Sequence, residues 1–142
     1  MNDQPIMIER MYNSPVDLVW QAISDKAKMK EWYFDMADFK LNLGAEFTFY
    51  GGDETQFLHR CKITELEPDK KLTYSWRFDS YDGISYVTFE MFPENGNTKL
   101  RLTHTGLETF PNIPQFARQN FVDGWTYIIG TSLKEFLETQ NV

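Results

Sequence analysis

Two imidazoles and one thiol are the side chains of this sequence that titrate or react most readily near neutral pH: His59, His104 and Cys61. A histidine there can move a proton or hold a hydrogen bond. Each lies in an alternating run, His59 with Cys61 and Ile63, His104 with Leu100 and Leu102 opposite Lys99, Arg101 and Thr103. Period-two alternation puts each set on one strand face, so both rings are expected to point inward. Pairing the strands in chain order leaves two others between the histidines. That is about 14 Å across a flat sheet at roughly 4.8 Å per strand, too far for joint metal ligation. Each ring therefore has two open roles: a polar group on a cavity wall, or a structural histidine with satisfied nitrogens. Cys61 is the sole cysteine and has no evident base beside it, so it reads as a small buried hydrophobe. An intrachain disulfide and a cysteine-based zinc cage are excluded. No Ser-His-Asp pattern stands out, and the sequence assigns no catalytic residue, metal or cofactor. Gly51 and Gly52, leading into Asp53, lack the strand-to-helix context of a phosphate loop and read as hairpin punctuation.

Aromatic residues are over-supplied, with 12 Phe, 7 Tyr and 4 Trp making up 16% of the chain. The same periodicities turn Trp32, Phe47, Phe49, Tyr74, Trp76, Phe78, Phe89, Phe121 and Trp125 inward. Packed solid, these rings fill the interior. Stacked over a curved sheet, they leave a cavity into which rigid side chains cannot collapse. In the second arrangement Ile128 and His59 extend the wall, while Tyr74, His104 and Ser132 are the few polar groups that orient a ligand. Ser132 has the alternative of bonding back to its own helix.

These residues need elements to hold them. Residues 5–13 contain the strand-like IMIERMY. Ser14 then offers a helix cap, Pro15 suits the first turn, and Val16, Val19, Trp20 and Ile23 form one apolar stripe. Ser24 and Asp25 end that helix and open a second short one, with Met29, Trp32 and Tyr33 at helical spacing. From Phe39 to Thr105 the period is two, punctuated by Pro68-Asp69, Asp82-Gly83 and Asn95-Gly96. Strands are expected near 38–42, 45–51, 56–67, 70–79, 84–92 and 97–105, each antiparallel to its neighbour. Pro111 and Pro114 break the next segment, which with Phe110 and Phe116 makes either a lid or a stiff connection. A long helix over 116–139 closes the chain; at about 100° per residue it turns Phe121, Trp125, Ile128, Ile129, Leu133 and Phe136 to one side. An antiparallel sheet with one apolar face needs a cover, and this helix is the long amphipathic element available. The expected class is α+β: a curved sheet of six to seven strands wrapped around the terminal helix, with two short helices after the first strand.

The chain of 142 residues suits one domain, 1–142. With 21 acidic against 14 basic residues its net charge is −7, which disfavours nucleic acid as a partner. Lys26, Lys28 and Lys30 read as a solvated helix face. No apolar run approaches the roughly 20 residues of a membrane span, so no membrane insertion is expected. One cysteine and no leader-like start fit a soluble, unprocessed cytoplasmic protein.

The order strand, two short helices, meander and long terminal helix resembles the helix-grip fold of the START-like (SRPBCC, birch-pollen-allergen) superfamily. More narrowly, SPVDLVWQAISDKAKMKEWY, GAEFTF, LEPDKKLTYSW, VTFEM, TKLRLTHTGL and the Gly124-Trp125 pair followed by LKEFLE resemble the activator of heat shock protein 90 ATPase homologue family. The likeness is to the C-terminal domain of the eukaryotic co-chaperone. It implies a helix-grip fold and a small hydrophobic or aromatic molecule bound between sheet and terminal helix. It also implies, as a second function, contact with a heat shock protein 90 type chaperone and stimulation of its ATPase. The wider superfamily implies a third, a cyclase- or hydrolase-like enzyme using His59 or His104 in the same cavity.

Overall fold

Alternation in the first apolar run builds β1 (Ile6–Tyr12), and the helical stripe after it builds α1 (Val16–Ser24), which buries Val19, Trp20 and Ile23. The computed structural model describes residues 4–51 and 57–140, so Gly52 and Asp53 of the expected glycine turn lie outside the described residues. Helix α1 starts one residue later than a serine cap implies, because Pro15 occupies the N-cap position. Ser14 sits instead in the buried turn before it, its carbonyl accepting from the Thr98 hydroxyl at 2.8 Å. Asp25 then caps α2 (Lys26–Trp32) by accepting from the Lys28 amide at 3.1 Å. Met29 and Trp32 are buried, while Lys26 and Lys30 stay exposed.

Five meander strands follow: β2 (Glu46–Gly51), β3 (Phe57–Glu67), β4 (Lys71–Phe78), β5 (Ser85–Glu94) and β6 (Asn97–Thr105). The expected strand over 38–42 does not form. Asp38 takes φ of 62°, a left-handed turn that interrupts any extended run, and the sheet contact here is an isolated bridge between Ala37 and Thr48. The six strands lie in the order β1-β6-β5-β4-β3-β2, and every neighbouring pair is antiparallel. Asn95 and Gly96, at φ 54° and 86°, supply the positive angles of the tight turn that sets Glu94 opposite Asn97. The inward faces read from alternation are buried, from Phe47 and Phe49 through Trp76 and Phe78 to Leu102 and His104.

Past β6, Leu107–Thr109 and Pro114–Phe116 form single 3-10 turns. Pro114 opens the second of them, where its missing N–H is tolerated. The terminal helix starts at Arg118 and is not uniform: α3 (Arg118–Tyr127) passes through a π-helical stretch, Ile128–Ser132, into α4 (Leu133–Gln140). Its most buried residues, Trp125, Ile129, Leu133 and Leu137, are spaced by four. In a regular helix such a series drifts by about 40° per step. The wider π turn advances less per residue and swings Leu133 and Leu137 back to the core. Two bonds hold it there, Tyr12 Oη donating to the Ile129 carbonyl at 2.6 Å and Ser132 Oγ to the Trp32 carbonyl at 2.5 Å.

Candidate functional site

A cleft of about 400 Å³ runs between the sheet and α3. The sheet contributes Phe57 and His59 from β3 and Trp76 and Phe78 from β4, pairs spaced by two and so on one face. Helix α3 contributes Phe121, Gly124 and Trp125, and the π stretch begins with Ile128 on the same wall. Phe34 and Phe116 complete the apolar lining; Gln115, Asn120 and Asp123, all exposed, form a polar rim. The rings hold one another. Phe78 stacks on Phe116 at 4.2 Å between centroids, His59 stacks on Phe49 at 4.3 Å, and His59 meets Trp76 edge-on at 4.8 Å. Gly51 lets β2 pack closely behind these rings, since a Cβ there would come within 3.1 Å of both the His59 and the Phe34 ring.

The two histidines differ in their bonding. Trp125 Nε1–H donates to His104 Nδ1 at 2.9 Å, which fixes that nitrogen as the acceptor. His104 Nε2–H then donates to Ser85 Oγ at 2.8 Å, and Ser85 passes its own proton to the Trp76 carbonyl at 3.0 Å. Burial pulls the His104 pKa down to about 3, with a smaller contribution from His59. With both nitrogens engaged and the ring neutral, His104 is a structural histidine that ties α3 to the sheet. His59 Nδ1–H donates to the Phe57 carbonyl at 3.0 Å, which leaves Nε2 as the lone-pair nitrogen. Burial lowers the His59 pKa to about 4, opposed in part by the Phe57 and Phe49 carbonyls. Near neutral pH it is an uncharged ring on the cleft wall. Burial raises the Cys61 thiol pKa, so this cysteine is held as an inert thiol in the core.

Of the residues singled out from sequence, the structure gathers His59, Trp76, Phe78, Phe121, Trp125 and Ile128 around the cleft. The others pack elsewhere. Phe47, Phe49 and Phe89 are buried in the core and do not line the cleft. Tyr74 is fully buried, its hydroxyl 2.6 Å from that of Tyr33. Trp32 spends its indole N–H on the Ala22 carbonyl at 2.8 Å. Ser132 neither back-bonds to its own helix nor reaches the cleft, being tied to Trp32. Phe34, Phe57, Gln115, Asn120, Asp123 and Gly124 line the cleft without having been singled out for it, and Phe116 joins the wall from the proline-broken segment. Phe57 was open to discovery, since alternation extended two residues back from His59 reaches it.

Residues 13–138 match the family described as Activator of Hsp90 ATPase homolog 1-like protein. The Hsp90 co-chaperone AHA1 of Saccharomyces cerevisiae is 26% identical over 115 residues, which cover 75% of this chain and 31% of the co-chaperone. The chain thus spans about a third of that curated relative's length. Among solved structures, protein MLL2253 from Mesorhizobium loti is similar with a TM-score of 0.80 and 25% identity, over 98% of this chain and 100% of its own. CalU16 from Micromonospora echinospora gives 0.69 at 25% identity, over 95% of this chain and 74% of its own. Protein CV1439 from Chromobacterium violaceum gives 0.80 at 20% identity, over 97% and 99%, a likeness of fold alone. The helix-grip architecture and a family match over nearly the whole length agree, and the chain belongs to the Activator of Hsp90 ATPase homolog 1-like family.

Proposed function

We propose that the protein binds a small, largely apolar molecule in the cleft between sheet and α3. The observation that carries this reading is the cleft itself, walled by Phe57, Trp76, Phe78, Phe116, Phe121 and Trp125 between sheet and helix. The cleft volume of about 400 Å³ falls within the range of small-molecule sites, and its apolar wall with few polar groups is the usual composition of one. Binding would derive mainly from apolar burial at about 25 cal/mol per Å², less the cost of ordering. A panel of planar aromatics and lipids, followed by tryptophan fluorescence and amide NMR shifts, tests this. Saturable changes confined to cleft residues are expected; a panel that moves neither signal would remove the reading.

Family membership favours a second reading, in which the domain contacts a heat shock protein 90 type chaperone and stimulates its ATPase. A pull-down combined with an ATPase assay tests it, and a chaperone neither bound nor stimulated would eliminate it. Use of His104 as an acid or base receives no support, because both of its nitrogens are already engaged.

A further inference from the structure

We propose that the outer face of the sheet docks an acidic segment of a partner protein through Arg60 and Arg77. This surface is separate from the cleft: His59 and Trp76 line the cleft, so Arg60 and Arg77, the next residues along β3 and β4, point to the opposite face. Neither reading above depends on it.

The strand register carries the argument. One row across the outer face runs Glu9, Arg101, Glu90, Lys71 and Glu67, each directly opposite the next, so its charges alternate in sign and support the sheet. Another row breaks this pattern. Thr48 lies opposite Arg60, and Arg60 lies opposite Arg77, a like-charge pairing that destabilises a sheet. Asp79 relieves Arg60, its Oδ1 accepting from Nε at 2.7 Å, and Lys62 has Glu46 opposite it. Arg77 is exposed and has neither ion pair nor hydrogen bond among the described residues. Two guanidinium groups side by side, one of them uncommitted, form a fork that the two oxygens of a carboxylate can engage. The surroundings favour a protein as the source of that carboxylate. Tyr50 and Tyr86 stand exposed on the same face, and Ile84 is exposed just before β5; tyrosine beside arginine is a composition enriched in protein interfaces. The net charge of −7 makes the body around the patch repel a long polyanion or a second copy of this chain. A short segment with a few carboxylates keeps its charge within a Debye length, about 8 Å, of the arginines.

Capped hexaglutamate, capped hexaglutamine and a decathymidylate, titrated into the intact protein at about 25 mM salt and followed by amide NMR, test this. Hexaglutamate is expected to shift the amides of Arg60, Lys62, Arg77 and Tyr86 saturably, and hexaglutamine to shift none of them. The affinity should fall roughly fivefold or more on raising the salt to about 150 mM. Arg77→Gln should weaken hexaglutamate binding roughly tenfold, and Arg77→Lys by less, since the ammonium keeps the charge but loses the fork. Arg77→Gln should also leave Tm unchanged or raise it, because it removes a like-charge pair; an arginine with a structural role would lower it. Equal shifts with hexaglutamine, shifts confined to other surfaces, full affinity in Arg77→Gln, or decathymidylate bound as tightly as hexaglutamate would each overturn the proposal. So would a dimer, seen by sedimentation, that Arg77→Gln dissolves, since it would give the face to a second copy. All of these results leave the cleft-binding reading intact, because the cleft lies on the other side of the sheet.

Discussion

At the residue scale the two histidines, equivalent in sequence pattern, part company through their partners. Alternation was enough to turn both rings inward, but not to say what their nitrogens meet. The partners of His104 are Trp125 and Ser85, 21 and 19 residues away on other elements, and no local period reports on them. Replacing His104 with alanine would strip the acceptor from a buried indole N–H and leave a hole in a close-packed layer. A loss of about 3 kcal/mol is expected, measured as a lower urea midpoint. The same burial makes stability depend on pH. Both rings hold pKa values of about 4 and about 3, below the ordinary 6.5. The unfolded chain therefore takes up protons near pH 6.5 that the folded protein refuses until far lower. Their contribution is complete above pH 6.5 and is lost as the pH falls toward about 4 and then 3. Between about pH 6 and 5 the slope should approach 1.4 kcal/mol per pH unit for each ring, and His59→Gln should roughly halve it in urea titrations. An unaltered slope would mean that His59 is already charged when folded.

At the element scale, strong local signals located the helices and five meander strands, and the departures have local causes. Residues 38–42 alternate like a strand, yet Asp38 adopts a left-handed conformation that a tally of apolar positions does not register. The terminal helix was legible as amphipathic, but plotting it at a constant 100° per residue included Phe136 and left out Leu137. The π stretch resets the phase, and Leu137 is the one that becomes buried. Its anchors, Tyr12 to the Ile129 carbonyl and Ser132 to the Trp32 carbonyl, come from β1 and α2 and had no sequence signature. Tyr12→Phe and Ser132→Ala should each cost about 1 kcal/mol. Combined, they should speed amide exchange within residues 128–133 roughly tenfold or more while leaving the sheet protected. Uniform acceleration across the protein would show that the π stretch opens only with global unfolding.

At the scale of the whole molecule, a curved sheet packed against one long helix was readable from element order. Which rings would fill the interior and which would border a gap was not, because that depends on the twist and register that bring β3, β4 and α3 together. The outcome is a core that buries Phe47, Tyr74 and Phe89 away from the cleft lining, and a cleft beside Trp76 and Trp125. A molecule that occupies the cleft at a hundred times its dissociation constant should stabilise the fold by about 2.7 kcal/mol, read as a rise of several degrees in Tm. The bonds running from Trp125 through His104 and Ser85 to the Trp76 carbonyl carry one more consequence. They trap the imidazole hydrogen of His104 away from bulk solvent, so its proton signal should survive in water as an isolated peak beyond the amide envelope. The protein thereby contains a native reporter, needing no tag, that falls silent when helix and sheet separate.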